Sequence, residues 1–240
     1  MVFQFPRLKT LLMTFLFVIG HEPQPVQMTD FDTVKSAAST VVTEGTSFGE
    51  FAEKNLKQLG YKVNVVMTVE NWSRFPLNSR NFHVQSGHLF YGAKIDTIAP
   101  CKKEVLALRN GEFVGSYGTV SFLVSGASRR FVIMWSAPYV IAAGGYKNWM
   151  GLGLTRKGYT DKSSEDLYYD RMYRESNTAD LMFNRKEFYY DVNPVTMSDD
   201  QFETWATMAT GNMADIRVIF KPVNDGDLAP QLRQALGLSG

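Results

Sequence analysis

Between Tyr61 and Val69 hydrophobic and polar positions alternate: Val63, Val65, Met67 and Val69 fall on one side, Lys62, Asn64, Val66 and Thr68 on the other. A period of two is the signature of a half-buried strand. Further runs rich in branched and aromatic residues follow in "EVLAL", "GTVSFLV", "RRFVIMW", "WMGLGL" and "DIRVIF", separated by Gly, Ser and Asn turns. Two stretches break the alternation. From Thr46 to Leu59, Phe48, Phe51, Ala52, Leu56 and Leu59 recur at helical spacing, with Ser47 and Glu50 as a capping box and Gly60 as the stop. In "SSEDLYYDRMY" a Ser163/Asp166 capping pattern precedes Tyr169 over Tyr173 and Tyr168 over Met172 at i, i+4. The pattern predicts a mainly β, single-domain β-sandwich flanked by two α-helices.

The first residues read differently. Arg7 and Lys9 precede an apolar run from Leu11 to Ile19 that ends at Gly20, which predicts a signal peptide over 1–20 and hence a secreted protein. Pro23 and Pro25 mark 21–29 as a linker or propeptide, the sandwich domain is expected over 30–222, and 223–240 forms a C-terminal tail with Leu228, Leu232 and Leu236 at helical spacing. No other apolar run reaches the roughly 20 residues that a membrane span needs. Cys101 is the only cysteine, so no intrachain disulfide forms and packing must supply the stability. The net charge of +1 gives no basic excess for nucleic acid. Asn71-Trp72-Ser73 spells a glycosylation sequon, a triplet common by chance.

Catalytic chemistry finds little support. "GTSFG", Gly45 to Gly49, has the spelling of a hydrolase nucleophile elbow. Its downstream histidines, His83 and His88, lie too close to leave room for the strands and helices of such an enzyme, so Ser47 reads as a helix cap. The same two histidines match no metal-ligand spacing. "GLGLTRKG" lacks the phosphate-loop spelling. No enzyme activity, metal or cofactor is predicted.

Residues 135–154, "WSAPYVIAAGGYKNWMGLGL", carry a resemblance. Ser136-Ala137-Pro138-Tyr139 matches the Ser-x-Pro-aromatic turn, and Tyr146-Lys147-Asn148-Trp149 the Tyr-x-Asn-Trp segment, of the actinoporins, a family of pore-forming cytolysins. "NSRNFHVQSG", "APCKKEVLALRNG", "YGTVSFLV", "LYYDRMY" and the segment from Thr43 to Ser73 resemble further family elements in the same order, from about Val34 to Pro222. Two features depart from the sea-anemone pattern. Ala142-Ala143-Gly144-Gly145 stands where those toxins carry more aromatics, and "RESNTAD" replaces their Arg-Gly-Asp triplet.

The resemblance implies a secreted monomer with a mobile amphipathic N-terminal segment. It would bind membrane phosphocholine lipid, sphingomyelin or phosphatidylcholine, form a homo-oligomer on the target cell membrane and insert that segment as a cation-permeable pore. The implied headgroup site comprises Ser86, Val120, Ser136, Pro138, Tyr146, Tyr168 and Tyr173, with Tyr139 and Trp149 at the membrane interface and Tyr169 as an alternative to Tyr168. A quaternary ammonium is attracted to aromatic faces, which suits this list. On the residues alone the preferred reading is that Tyr168, Tyr169 and Tyr173 simply pack a helix onto the sheet, and Trp149 serves the core as well as the surface.

Val34, Ala38, Val41, Phe48, Ala52, Leu56 and Leu59 fall near one helical face. A continuous helix from Val34 to Gly60 would measure roughly 40 Å, enough for a hydrocarbon core of about 30 Å. In solution only the part after Ser47 is expected to be stably helical, because glycines and β-branched residues weaken what precedes it. Fungal fruit-body lectins resemble the same sandwich without a lytic helix. A non-lytic lipid- or carbohydrate-binding module is therefore the alternative.

Overall fold

The computed structural model describes residues 28–48, 64–91, 95–110, 115–138, 147–161 and 168–238. The alternating runs become strands that build two sheets. One follows the order β1 (Thr43–Glu44), β5 (Lys102–Arg109), β2 (Asn64–Asn71), β12 (Met213–Pro222), β11 (Phe202–Met208) and β10 (Val195–Ser198), and β4 (His88–Tyr91) also pairs with β5. The other has β3 (Leu77–Ser86), β6 (Ser116–Val124), β7 (Arg129–Ala137), β8 (Asn148–Thr155) and β9 (Leu181–Phe188). The described residues of all six strand-like runs lie in strands. Unpredicted β3 and β9 carry mostly half-buried side chains, so their polar sequences hide the alternation.

The inner faces meet as the pleat dictates. Val65, Met67 and Val69 of β2 and Ile216, Val218 and Phe220 of β12 share one core with Val120, Phe122, Phe131, Ile133 and Trp135. Phe220 sits at its centre, its ring centroid 5.0 Å from Phe131 and 4.8 Å from Phe202. Asn71 of the sequon is buried in this framework. Its amide donates to the carbonyls of Phe75 and Ile98, so the triplet is not an accessible glycan acceptor.

Helices cover the outer faces. α1 (Phe31–Val41) lies on the seven-stranded sheet, and α2 (Tyr168–Arg174) lies on the five-stranded one. The tail is structured too: a 3-10 turn at Asp225–Asp227 leads into α3 (Pro230–Ala235), which packs beside α1. Val34 and Ala38 of α1 are buried with Trp72, Ile219, Leu228 and Leu232 in a second, smaller core.

α1 corrects the expectation that nothing before Ser47 holds a helix. Asp30 caps it by accepting from the Thr33 N–H at 2.9 Å. Phe31 stacks on Trp72 (5.6 Å) and Trp205 (5.9 Å). Tertiary burial of one face overrides a weak intrinsic propensity. Ser47 is also tied to β5, and most of the helix it was expected to cap falls outside the described residues. The Ser47 hydroxyl donates to Glu104 in a short hydrogen bond and accepts from the Val105 N–H at 2.8 Å. Glu50 and most of the helix predicted after Ser47, with Ala52, Leu56 and Leu59, lie outside the described residues, as do the 1–20 leader and the Ser163/Asp166 cap.

Candidate functional site

Cross-strand register assembles a single row on the outer face of the five-stranded sheet. Ser86 of β3 pairs with Tyr117 of β6, Tyr117 with Ser136 of β7, Ser136 with Trp149 of β8, and Trp149 with Glu187 of β9. Paired residues point to the same side of a sheet, so five strands present these side chains together. The row runs along one end of the sandwich, where β7 turns out through Pro138. Glycine permits this closeness at Gly115, where an added Cβ would lie 2.1 Å from the Ala137 carbonyl oxygen and 2.4 Å from Pro138 Cα. Ser86 donates to the Gly115 carbonyl at 3.0 Å, which ties the row's first member to the Pro138 turn.

α2 lays two rings over the row. Tyr169 lies 5.3 Å from Tyr117 and stacks on Tyr173 at 5.4 Å with planes 11° apart, and Tyr173 meets Trp149 edge-on at 6.0 Å. The helix approaches this closely because β8 has Gly151 beneath it, where a Cβ would stand 3.1 Å from both Met134 Cε and Met172 Cε. Burial pushes the Tyr169 phenol up to about 12, only partly opposed by its hydrogen bond with Ser136. Tyr117, Tyr173, Trp149, Ser86 and Pro138 keep part of their surface in solvent. The result is an aromatic, hydroxyl-edged surface with a sealed tyrosine behind it. Such a surface can hold a cation over ring faces and hydrogen-bond the oxygens beside it.

The predicted residues divide. Ser86, Ser136, Pro138, Tyr173 and Trp149 come together. Val120 does not: it points into the core between the sheets and is wholly buried, because it is one residue out of phase with Tyr117. Tyr168 is sealed with Val132, Met134 and Leu181, and its neighbour Tyr169 takes the place in the ring ladder. Tyr139 and Tyr146 lie outside the described residues. Tyr117 was missed, although its phase in "SYGTVSFLV", opposite to Val120, marks the outer face.

The N-terminal segment occupies the other outer face. Val34 and Ala38 are buried, Val41 and Phe48 half-buried, and Lys103 Nζ lies 5.2 Å from the Phe48 ring. Strand bonds continue past α1, from the Thr43 N–H to Cys101 and from the Gly45 N–H to Lys103. Thr46 and Ser47 N–H groups then end on the Glu104 carboxylate at 3.0 and 2.9 Å. A cleft beneath the end of α1 has a polar floor of Thr68, Glu70, Lys103, Asp215 and Arg217, with Arg217 and Glu70 paired at 2.7 Å. Among the described residues no helix is long and apolar enough to cross a membrane, and no group of acidic, His or Cys side chains could hold a metal ion.

No family model matches the chain. It is 37% identical over 242 residues to Conoporin-Cn1 of Conus consors, covering 97% of this chain and 94% of that protein. Tereporin-Ts1 of Terebra subulata is 37% identical over 203 residues, with 81% and 96% covered. Echotoxin-2 of Monoplex parthenopeus is 33% identical over 202 residues, with 83% and 72% covered. The crystal structure of the lipid binding protein Nakanori shares the fold at a TM-score of 0.56 and 15% identity, covering 87% of this chain and 95% of that one. The chain belongs to the actinoporin family of pore-forming cytolysins, beside the gastropod conoporin, tereporin and echotoxin proteins, and this is a family of toxins rather than of enzymes.

Proposed function

We propose that this protein is a secreted cytolysin that binds phosphocholine headgroups through the aromatic row, oligomerises on the target membrane and inserts its N-terminal segment as a cation-permeable pore. Residues 1–20 act as the signal peptide, and 21–29 as linker or propeptide. The observation that carries this reading is the Ser86–Tyr117–Ser136–Trp149 register row beneath the Tyr169–Tyr173 ladder. Its half-exposed rings suit a choline cation, and its hydroxyls suit the adjoining phosphate.

Eleven helical residues in α1 reach only about 16 Å, so spanning requires the helix to extend through 42–48 and beyond. The strand bonds of Thr43 and Gly45 and the Glu104 contacts of Thr46 and Ser47 must break first. The polar floor under the end of α1 lowers what is lost when the helix leaves. Apolar α1 residues then exchange protein contacts for lipid, while neighbouring copies shield the polar face.

Dye-filled vesicles of phosphatidylcholine, with and without sphingomyelin, test this directly. Wild type should bind and release dye, and a variant lacking 30–46 should bind without release. Sealed vesicles with the intact fold, together with sugar binding, would turn the assignment to the lectin-like alternative.

A further inference from the structure

We infer that the turn after β9, carrying Tyr189, Tyr190 and Val192, is a second membrane contact that seats the protein on the headgroup layer of zwitterionic lipid. This rests on the proposed lipid-binding role of the neighbouring row and extends its footprint. The three side chains are 43%, 88% and 59% exposed, a concentration of apolar surface that the fold itself does not use. The two tyrosine rings meet edge-on at 4.4 Å. Position links them to the row: Glu187, its last member, lies two residues earlier, and Lys147 joins the two by pairing with Glu187 at 2.7 Å while standing 5.9 Å from the Tyr189 ring.

The turn is held in advance. Lys186 Nζ binds the Asp191 carboxylate and the Asn193 carbonyl, each at 2.7 Å, and Asp191 accepts from the Asn193 N–H at 2.8 Å. Exposed rings on a fixed turn lose little freedom on binding. Charge then selects the partner. Lys147 and Lys186 are matched by Glu187 and Asp191, so this rim offers no net positive charge to an anionic surface. What it offers is tyrosine, which has an apolar ring and a polar tip and favours headgroup depth.

An environment-sensitive dye attached at Tyr190→Cys should shift to the blue on phosphatidylcholine–sphingomyelin vesicles. The same dye at Tyr159→Cys should not, because Tyr159, 52% exposed, lies beyond the far end of β8 from Trp149. The pair Tyr189→Ser/Tyr190→Ser should bind about tenfold more weakly with unchanged thermal unfolding. Wild-type binding should survive about 1 M salt, where screening falls to about 3 Å.

If Trp149→Ala loses binding while the dye at position 190 stays aqueous and the serine pair binds like wild type, the second contact is overturned and the first site stands. Binding that requires anionic lipid and vanishes in salt overturns the zwitterionic assignment. If wild type binds no vesicle, both proposals fall together.

Discussion

Thr29 and Asp225 are 196 positions apart, yet the backbone N–H and hydroxyl of Thr29 both donate to one Asp225 carboxylate oxygen, at 2.7 and 2.6 Å. The tail therefore fastens the chain just ahead of α1, while Glu104 fastens it just behind. Hydrogen bonds to a buried charge are worth about 1.5–3 kcal/mol each. Asp225→Ala should raise hydrogen exchange at the α1 amides by at least about tenfold, leave β6–β8 protected, and speed dye release per bound molecule. Uniform acceleration across both sheets would mean that the tail supports the whole sandwich rather than α1.

The rear fastening depends on a glycine. A Cβ at Gly45 would lie 1.9 Å from Glu104 Oε1, and that carboxylate is pinned by Thr46 and by both donors of Ser47. Gly45→Ala should destabilise the protein by about 1–3 kcal/mol, the cost of displacing a buried charged acceptor. Chemical denaturation would show this as a lower midpoint. An unchanged midpoint would mean that Glu104 turns aside freely.

Two tryptophans should separate binding from folding. Trp149 keeps surface exposed beside Tyr173, whereas Trp135 is wholly buried in the core against Phe82. Trp135→Ala should cost about 3–5 kcal/mol of stability. Trp149→Ala should weaken vesicle binding before it lowers the unfolding temperature. The reverse order for Trp149 would make it a packing residue.

Alkali should find Tyr169. Its phenol is raised from 10.0 to about 12, chiefly by burial, so the neutral ring is the form that the fold favours. The stability this contributes is complete below the ordinary phenol value and is lost as the pH rises through the folded value. Between about pH 10 and 12, wild type should lose stability more steeply than Tyr169→Phe, as followed by unfolding midpoints. Parallel pH profiles would place Tyr169 in solvent.

Helix α2 shows how far local pattern reaches. The i, i+4 spacing of Tyr169 and Tyr173 was visible in "LYYDRMY", and their rings do stack. Which of Tyr168 and Tyr169 faces Ser136 was not visible, because one residue of helix is a rotation of about 100° and the answer depends on how α2 sits over Gly151. Val120 failed for the complementary reason: a resemblance carries a position, while the pleat decides its face. β3 escaped notice because its side chains are neither cleanly buried nor exposed.

By itself, the sequence determined the alternation that marks the core strands, the i, i+4 placing of Tyr169 and Tyr173, and the absence of an intrachain disulfide. These are properties of neighbours along the chain, where backbone period fixes which side chains share a side. Only the tertiary structure decided that Ser86, Tyr117, Ser136 and Trp149 stand in one row, and that α1 forms against Trp72 and the tail. Those arrangements depend on pairing and burial between distant segments, whose energy exists only once the sheets have closed.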